Sequence, residues 1–262
     1  MNLLAPRWLL PLALALAPVV LPTMAHADGP SADEIARKML EHDTFGWEGT
    51  EVKARLVLVT PDGKREERAF DSLSKKDGDL VKSIVRFRSP ERVAGTAFLL
   101  VQRKGAADEQ YIYLPAYHTT RRIAGREREG SFMGSDFSYA DLERRDQREA
   151  KYKLLPDEKI GQAECWVIES APLGESPYAK IVTWTRKSDY IPLRIQFFGK
   201  DGQLKKTMFS RRIQTIDGKP VVVETHTEDA KTHHATDLIL DDVKFRSDVP
   251  DATFNPAALE HG

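Results

Sequence analysis

The sequence has one cysteine, Cys165, so no disulfide can form within the chain. A domain without internal disulfides is stabilised by a sizeable hydrophobic core or by pairing with another chain. Cys165 lies in the segment AECWVIES, whose composition is typical of a strand. We predict a buried, unreactive thiol there rather than a catalytic one.

The chain also lacks a strong charge of either sign, because its formal net charge is -1. This balance gives no general attraction to nucleic acid or to anionic lipid. Beyond residue 27, no apolar run is long enough to cross a bilayer, and we expect no transmembrane segment in that part of the chain.

Motifs of the common catalytic sites are missing as well. The segment GSFMG has glycine at both ends, but Phe132 stands where a nucleophilic serine would be needed. The sequence contains no H-E-x-x-H, no cysteine pair, no P-loop and no G-x-G-x-x-G. We therefore predict no catalytic residue, no cofactor and no enzymatic activity.

The segment ETHTEDAKTHHATD contains three histidines. His226 and His233 would face the same side of a hairpin that turns at residues 229–232, with Glu228 close by and His234 next in sequence. A transition metal accepts such ligands, but the spacing is irregular and a polar hairpin tip explains the same residues. We predict no metal site here.

Three arginine pairs carry charge that suits an anionic head group, although solvated strand faces have the same composition. These pairs are Arg121 with Arg122, Arg144 with Arg145, and Arg211 with Arg212.

The N-terminal residues have the pattern of a secretory signal peptide. Arg7 precedes the apolar run WLLPLALALAPVVLP, and Ala25 and Ala27 are the small residues that a signal peptidase requires. Prolines within the run argue against an uncleaved membrane anchor. We expect residues 1–27 to be removed and the mature, periplasmic chain to begin at Asp28, without a cysteine there to carry a lipid.

Residues 28–262 are predicted to form one mainly β (α+β) domain. A capping box at Ser31 and Glu34 begins the only clear N-terminal helix, SADEIARKMLEHD. About a dozen segments then alternate apolar and polar residues, and Asp-Gly hairpin signals occur at Asp62, Asp77, Asp201 and Asp217. So many antiparallel strands favour a single curved sheet, an incomplete β-barrel covered by a few short helices.

The segment EGSFMGSDFSYADL breaks this alternation. It places aromatic residues and Met133 among Gly, Ser and Asp, and Asp136 is predicted to cap a short helix that runs through Leu142. Two interpretations remain open. The segment either completes an ordinary core or forms a plug that opens over an apolar space.

Three segments resemble the outer membrane lipoprotein-sorting proteins, which are similar to the periplasmic lipoprotein carriers of the Lol pathway. They are GSFMGSDFSYADL, DYIPLRIQFFGKDGQL and DVPDATFNP. The resemblance implies an incomplete antiparallel barrel with helices over an apolar concave face. It also implies lipid or lipoprotein acyl chains as cargo and an inner-membrane exporter of the resistance-nodulation-division type as a partner. No single arginine matches the lid-locking arginine of the best-known carriers.

Under this resemblance, the cavity and its plug are expected to use aromatic and large aliphatic side chains. The expected residues are Trp47, Leu58, Phe70, Phe98, Leu100, Tyr111, Tyr113, Phe132, Met133, Phe137, Tyr139, Trp184 and Phe197. The leading hypothesis is a periplasmic carrier of acyl chains. The alternatives are an envelope sensor or interaction module with the same fold, and a hydrolase acting on lipid or envelope material.

Overall fold

The computed structural model describes residues 29–40, 49–78, 80–103, 108–143, 150–246 and 248–261. The predicted signal peptide, the cleavage site before Asp28 and the candidate residue Trp47 lie outside these ranges. So do Arg144 and Arg145. The described helices are all too short or too polar to span a bilayer.

The helix α1 spans Ala32–Leu40 and begins as the sequence predicts. The Ser31 hydroxyl accepts a hydrogen bond from the Glu34 backbone N–H at 3.2 Å. Acidic residues occupy the first turn and basic residues the last, which complements the helix dipole.

Thirteen strands lie within the described residues, as predicted for a mainly β chain. Their bounds are β1 Thr50–Val59, β2 Arg65–Asp77, β3 Leu80–Phe87, β4 Ala97–Arg103, β5 Glu109–Leu114, β6 Thr119–Ile123, β7 Ala150–Ile160, β8 Ala163–Pro172, β9 Tyr178–Arg186, β10 Pro192–Gly199, β11 Leu204–Ile216, β12 Lys219–Asp229 and β13 Ala235–Phe245. Short 3-10 turns lie at Pro115–Tyr117, Gly125–Glu129, Phe132–Gly134, Tyr139–Leu142, Asp251–Thr253 and Pro256–Leu259.

The strands form one antiparallel sheet in the order β6-β5-β4-β3-β2-β1-β13-β12-β11-β10-β9-β8-β7. The sheet is curved and does not close, so the predicted incomplete barrel is confirmed. Strands β6 and β7 follow each other in sequence but lie at opposite edges. The connection between them contains the segment that breaks the strand pattern, and side chains of that segment from Phe132 to Leu142 pack against one face of the sheet.

All four Asp-Gly pairs lie in tight turns between neighbouring strands. Gly63, Gly78, Gly202 and Gly218 have φ values of +82°, +58°, +76° and +77°, a region that glycine enters without steric cost. Strand β7 contains Pro156, which has no backbone N–H to donate to a neighbouring strand. The register shifts between Leu155 and Glu158 around this proline, and β7 is an edge strand, where proline is tolerated.

The two faces of the sheet are covered by different segments. The concave face carries Leu56, Phe70 and Phe98 and meets the β6–β7 connection. The opposite face of β3 to β5 carries Ile84 and Leu99 and packs against the C-terminal segment. Cys165 is fully buried, and burial raises the pKa of its thiol, which agrees with an inert cysteine.

Candidate functional site

A cleft lies between the concave face and residues 130–142, which we name the plug segment. Its volume is about 700 Å³, counting the space open to solvent. The lining comes from β1, β2, β3, β4, β13 and the plug segment. The lining residues are Thr50, Val52, Leu56, Phe70, Ser72, Ser74, Ser83, Val85, Phe98, Phe132, Phe137, Leu142, Leu238 and Leu240.

Strand alternation places these side chains on one face. Val52 and Leu56 of β1 point inward, while the intervening Lys53 and Arg55 are more exposed. Across the sheet, Val52 pairs with Ser72, which pairs with Val85. The pairing register therefore aligns inward side chains of adjacent strands in successive rows, and these rows form the wall of the cleft.

The plug segment is folded by its own hydrogen bonds. The Phe132 N–H donates to the Phe137 carbonyl at 2.7 Å, and the Ser131 hydroxyl donates to the Ser135 carbonyl at 2.5 Å. Met133 and Gly134 take left-handed φ values of +51° and +71° between these contacts. The loop turns back on itself, so Phe132 and Phe137 both reach the sheet.

Aromatic contacts hold one side of the plug segment against the sheet. The Phe132 ring centroid lies 5.4 Å from that of Phe98, 5.8 Å from that of Phe87 and 5.6 Å from that of Tyr139. Burying one such side chain stabilises the closed arrangement by roughly 1.5–3 kcal/mol. Arg68 of β2 also contacts the segment, with its guanidinium close to Gly134.

Polar contacts hold the other side of the plug segment to β13. The Asp136 carboxylate accepts hydrogen bonds from the Thr236 hydroxyl at 2.6 Å and pairs with His234 Nδ1 at 2.8 Å. The prediction that Asp136 caps a helix is wrong. Ser138 is the N-cap of the 3-10 turn, in a capping box with Asp141, because Asp136 bonds to β13 instead.

A buried ion pair joins the plug segment to β11. Lys206 Nζ contacts the Asp141 carboxylate and donates to the Asp136 carbonyl at 2.9 Å. The Lys206 and Asp141 side chains are 8% and 2% exposed. The Tyr178 hydroxyl donates to Asp141 at 2.9 Å, which adds a third polar group to the cluster.

Burial has opposite consequences for the two partners of Asp141. It raises the pKa of Tyr178 to about 12, and the negative charge of Asp141 acts in the same direction. Burial by itself lowers the pKa of Lys206, but attraction to Asp141 and Tyr178 outweighs it, so the pKa is raised. At neutral pH the cluster therefore holds a protonated lysine and a neutral tyrosine.

The structure brings together eight of the thirteen residues expected from the sequence. Phe70, Phe98, Phe132 and Phe137 line the cleft directly. The remaining four pack in the surrounding core cluster; they are Leu58, Leu100, Met133 and Tyr139.

Four of the expected residues lie elsewhere. Tyr111 and Tyr113 contact the C-terminal segment on the opposite face. Trp184 packs in a separate cluster, where its Nε1 donates to Glu158 at 2.8 Å. Phe197 contacts Tyr178 at 4.9 Å, beside the buried ion pair. We do not include these four in the proposed site.

Sequence reasoning missed the hydroxyl groups of the cleft, which belong to Thr50, Ser72, Ser74 and Ser83. A signal for two of them was present, because Ser72 and Ser74 share the strand face of Phe70. The aliphatic residues of β13 were missed for another reason. Leu238 and Leu240 reach the cleft only because β13 pairs with β1.

The histidines do not converge on a common point. His226 Nδ1 contacts Asp237 at 2.6 Å, and His233 Nδ1 contacts Glu228 at 3.1 Å. Within the described ranges, no three metal-ligating side chains form a cluster that could hold an ion.

One arginine of each described pair contacts a carboxylate. Arg121 pairs with Glu127 at 2.8 Å, and Arg211 contacts Asp237 at 3.4 Å. Arg121, Glu127 and Arg211 are about half exposed, as expected for solvated strand faces, whereas Asp237 is buried.

Comparison with known proteins gives related folds over nearly the whole chain. A family model described as "Uncharacterized protein" matches residues 79–261. No curated protein matches the sequence.

Among solved structures, an outer membrane lipoprotein-sorting protein domain from Vibrio parahaemolyticus is 30% identical, with a TM-score of 0.82, covering 88% of this chain and 98% of that one. A DUF1329 family protein from Desulfovibrio piger is 29% identical, also with a TM-score of 0.82, covering 87% and 97%. A LolA superfamily protein from Nitrosomonas europaea, 23% identical with a TM-score of 0.70 and coverage of 87% and 98%, shares the fold.

Proposed function

The chain belongs to the outer membrane lipoprotein-sorting protein family, and from that premise we propose that it is a periplasmic carrier of lipid or lipoprotein acyl chains. The observation that carries this proposal is the cleft beneath the plug segment. Apolar side chains of Val52, Phe70, Phe98 and Leu238 form its walls.

The physical need for such a carrier follows from the hydrophobic effect. Leaving an acyl chain of about sixteen carbons in water costs on the order of 12 kcal/mol, at roughly 0.8 kcal/mol per CH₂. A carrier has only to match much of that burial and then release the chain to a membrane or receptor. No bond needs to be made or broken, and we propose no enzymatic step.

The plug segment is proposed to open when cargo enters. Its inward side chains, Phe132 and Phe137, are already buried in the closed arrangement. Cargo must therefore replace aromatic burial with acyl burial, and the balance between the two sets the affinity. Replacing Phe137 with alanine removes part of the aromatic burial with which the acyl chain must compete.

Titration with a fluorescent acyl probe tests this function. We expect the wild type to bind the probe and Phe137→Ala to bind it faster or more tightly, while its melting temperature falls. The matched control is Phe254→Ala, because Phe254 is equally buried but packs on the opposite face. That variant should lose stability and keep wild-type probe binding.

Two results would contradict the proposal. If neither the wild type nor Phe137→Ala binds any acyl probe, the carrier function is wrong and the sensor or interaction module takes its place. If Phe137→Ala and Phe254→Ala change probe binding equally, the cleft beneath the plug segment is not the site.

Export and delivery complete the proposal. We propose that residues 1–27 are cleaved and that the mature chain begins at Asp28 in the periplasm. N-terminal sequencing of protein recovered from the periplasm tests this, and an intact Met1 would contradict it.

An inner-membrane exporter of the resistance-nodulation-division type is the proposed partner, on the basis of the family resemblance. Co-purification of such an exporter with the tagged carrier, after crosslinking in cells, would test the association. Its absence from the crosslinked material would remove this partner and leave acyl binding untouched.

A further inference from the structure

We propose that the cleft selects acyl compounds whose head group is polar but uncharged, such as an ester, an amide or an alcohol. This inference rests on the proposed function, since it assigns the head-group chemistry of the same site. It comes from four residues, Thr50, Ser72, Ser74 and Ser83, which we name the hydroxyl row.

The hydroxyl row lies at one end of the cleft. Thr50 of β1 pairs in register with Ser74 of β2, which pairs with Ser83 of β3. Ser72 is in the next inward row. Two residues further along β2 comes Phe70, which begins the apolar part. The cleft therefore changes from hydroxyl-lined to hydrocarbon-lined along the direction of β2, and an amphiphile can bind in one orientation.

Two of these hydroxyls are available to a ligand. Thr50 Oγ1 and Ser74 Oγ are hydrogen-bonded to each other at 2.5 Å, and Ser74 Oγ also accepts the Thr50 N–H at 3.3 Å. Throughout the described part of the chain, the hydroxyls of Ser72 and Ser83 have no hydrogen-bond partner, although both residues are half-buried. A serine hydroxyl donates one hydrogen bond and accepts others, so a carbonyl or an alcohol satisfies it.

The described lining of the cleft offers no charged group to balance an ionic head group. Among the described residues, none of the side chains that line it is charged. An ionised carboxylate or an ammonium group there would lose its hydration without gaining a counter-charge. On the inward face of β2, Lys76 lies one position beyond Ser74 at the hydroxyl end, and Arg68 lies one position before Phe70 at the apolar end. Neither residue lines the cleft.

Competition between matched ligands tests the selection. The acyl probe is displaced from the full-length mature protein at pH 8 by monolaurin, ionised laurate or dodecyltrimethylammonium, each below its aggregation concentration. These ligands each have a twelve-carbon chain and differ in head-group charge. We expect monolaurin to act at about tenfold lower concentration than either ion.

A double variant, Ser72→Ala with Ser83→Ala, identifies the groups responsible. The affinity for monolaurin should fall by about tenfold in this variant, because the neutral head group binds these hydroxyls. The affinity for laurate should stay within about twofold of the wild-type value. The control is Ser170→Ala, whose hydroxyl bonds to the Ile181 carbonyl in β9, outside the cleft. This control should retain the wild-type preference.

The outcomes separate this inference from the function on which it rests. If all three ligands displace the probe equally, or if laurate is strongest, the head group is not read by the hydroxyl row. A stronger laurate would indicate Lys76 as the recognising group. In both cases the carrier function stands and the neutral selection is wrong. If no ligand displaces the probe and the probe itself does not bind, both proposals fail.

Discussion

The two halves of the concave face are covered in different ways. Over β8, helix α1 packs directly on the sheet, and Ile35 and Ala36 are fully buried against Ile168. Over β1 to β4, the plug segment stands off the sheet and leaves the cleft. One continuous row of paired residues connects the halves, since Leu58 of β1 is linked through the sheet to Ile168 of β8.

This difference shows that an open space is not a general property of the curved sheet. A regular helix presents a continuous apolar stripe that fills the face beneath it. A loop of 3-10 turns makes its contacts at a few side chains, here Phe132 and Phe137, and is fixed at its far side by polar groups. We therefore expect stability from the α1 half and ligand binding from the plug half.

The largest expected effect comes from breaking the buried ion pair between the halves. Lys206→Met leaves Asp141 buried without its cation, which should destabilise the fold by about 3–5 kcal/mol. Chemical denaturation measures this. The matched control is the neighbouring Lys205→Met, which removes an exposed pair with Asp201 and should cost about 0–1 kcal/mol. Equal losses in the two variants would mean that burial does not govern the pair.

A second comparison sets the α1 half against the plug half. Ile35→Ala should destabilise the protein by about 2–5 kcal/mol and Phe132→Ala by about 3–5 kcal/mol. Because α1 lies outside the cleft, acyl-probe affinity should change in Phe132→Ala and stay at the wild-type value in Ile35→Ala. A change of affinity in Ile35→Ala would show that the two halves are coupled rather than separate.

The pH dependence of the polar cluster follows from its raised pKa values. Tyr178 and Lys206 titrate near 10.0 and 10.5 in an unperturbed chain and higher in the folded protein. At a pH between the unfolded and the folded pKa of either group, the folded state keeps a proton that the unfolded chain releases. The contribution of these two groups to the free energy of unfolding is therefore complete below about pH 10. It is lost as the pH rises through their folded pKa values.

Thermal melts from pH 8 to pH 12 measure this loss. With a folded pKa of about 12, Tyr178 alone accounts for about 2–3 kcal/mol by pH 12. Tyr178→Phe should melt at a temperature that depends less on pH over this range. An unchanged slope in the variant would show that another group titrates there.

The smallest effect concerns the entry of the plug segment. Gly134→Ala forces a side chain into φ +71°, at a cost of about 1–2 kcal/mol, and places a Cβ 3.0 Å from Arg68 Nη1. Gly202→Ala is the control, with φ +76° and open space around it. Both should lose similar stability, but only Gly134→Ala should alter the rate of probe binding in stopped-flow measurements.

Much of the sheet was readable from the sequence because its signals are local. An Asp-Gly pair needs only its own backbone to specify a turn, and Ser31 caps α1 with a residue three positions away. Ala97, Phe98 and Leu99 are all apolar, which indicates a strand buried on both faces. The sequence pattern therefore does not indicate which face meets the plug segment. For that reason Tyr111, which pairs with Leu99, was assigned to the cleft although it packs on the opposite face.

The polar side of the plug segment could not be predicted, because its partners are distant in sequence. Asp136 bonds to Thr236, 100 residues away, and Asp141 pairs with Lys206, 65 residues away. Read locally, Asp136 before an aromatic run is a helix cap. The tertiary contacts decide otherwise, and only the pairing of β1 with β13 brings Thr236 to that position.

The most direct test of the carrier function is mass spectrometry of the protein purified from its own periplasm, in parallel with Leu240→Trp. Leu240 lines the cleft and is only half-buried, so a tryptophan there fills ligand space. We predict that an acyl-chain compound co-purifies with the wild type and is lost from Leu240→Trp, which melts within a few degrees of wild type. Wild-type protein free of any acyl compound, or equal retention in a folded Leu240→Trp, would contradict the account.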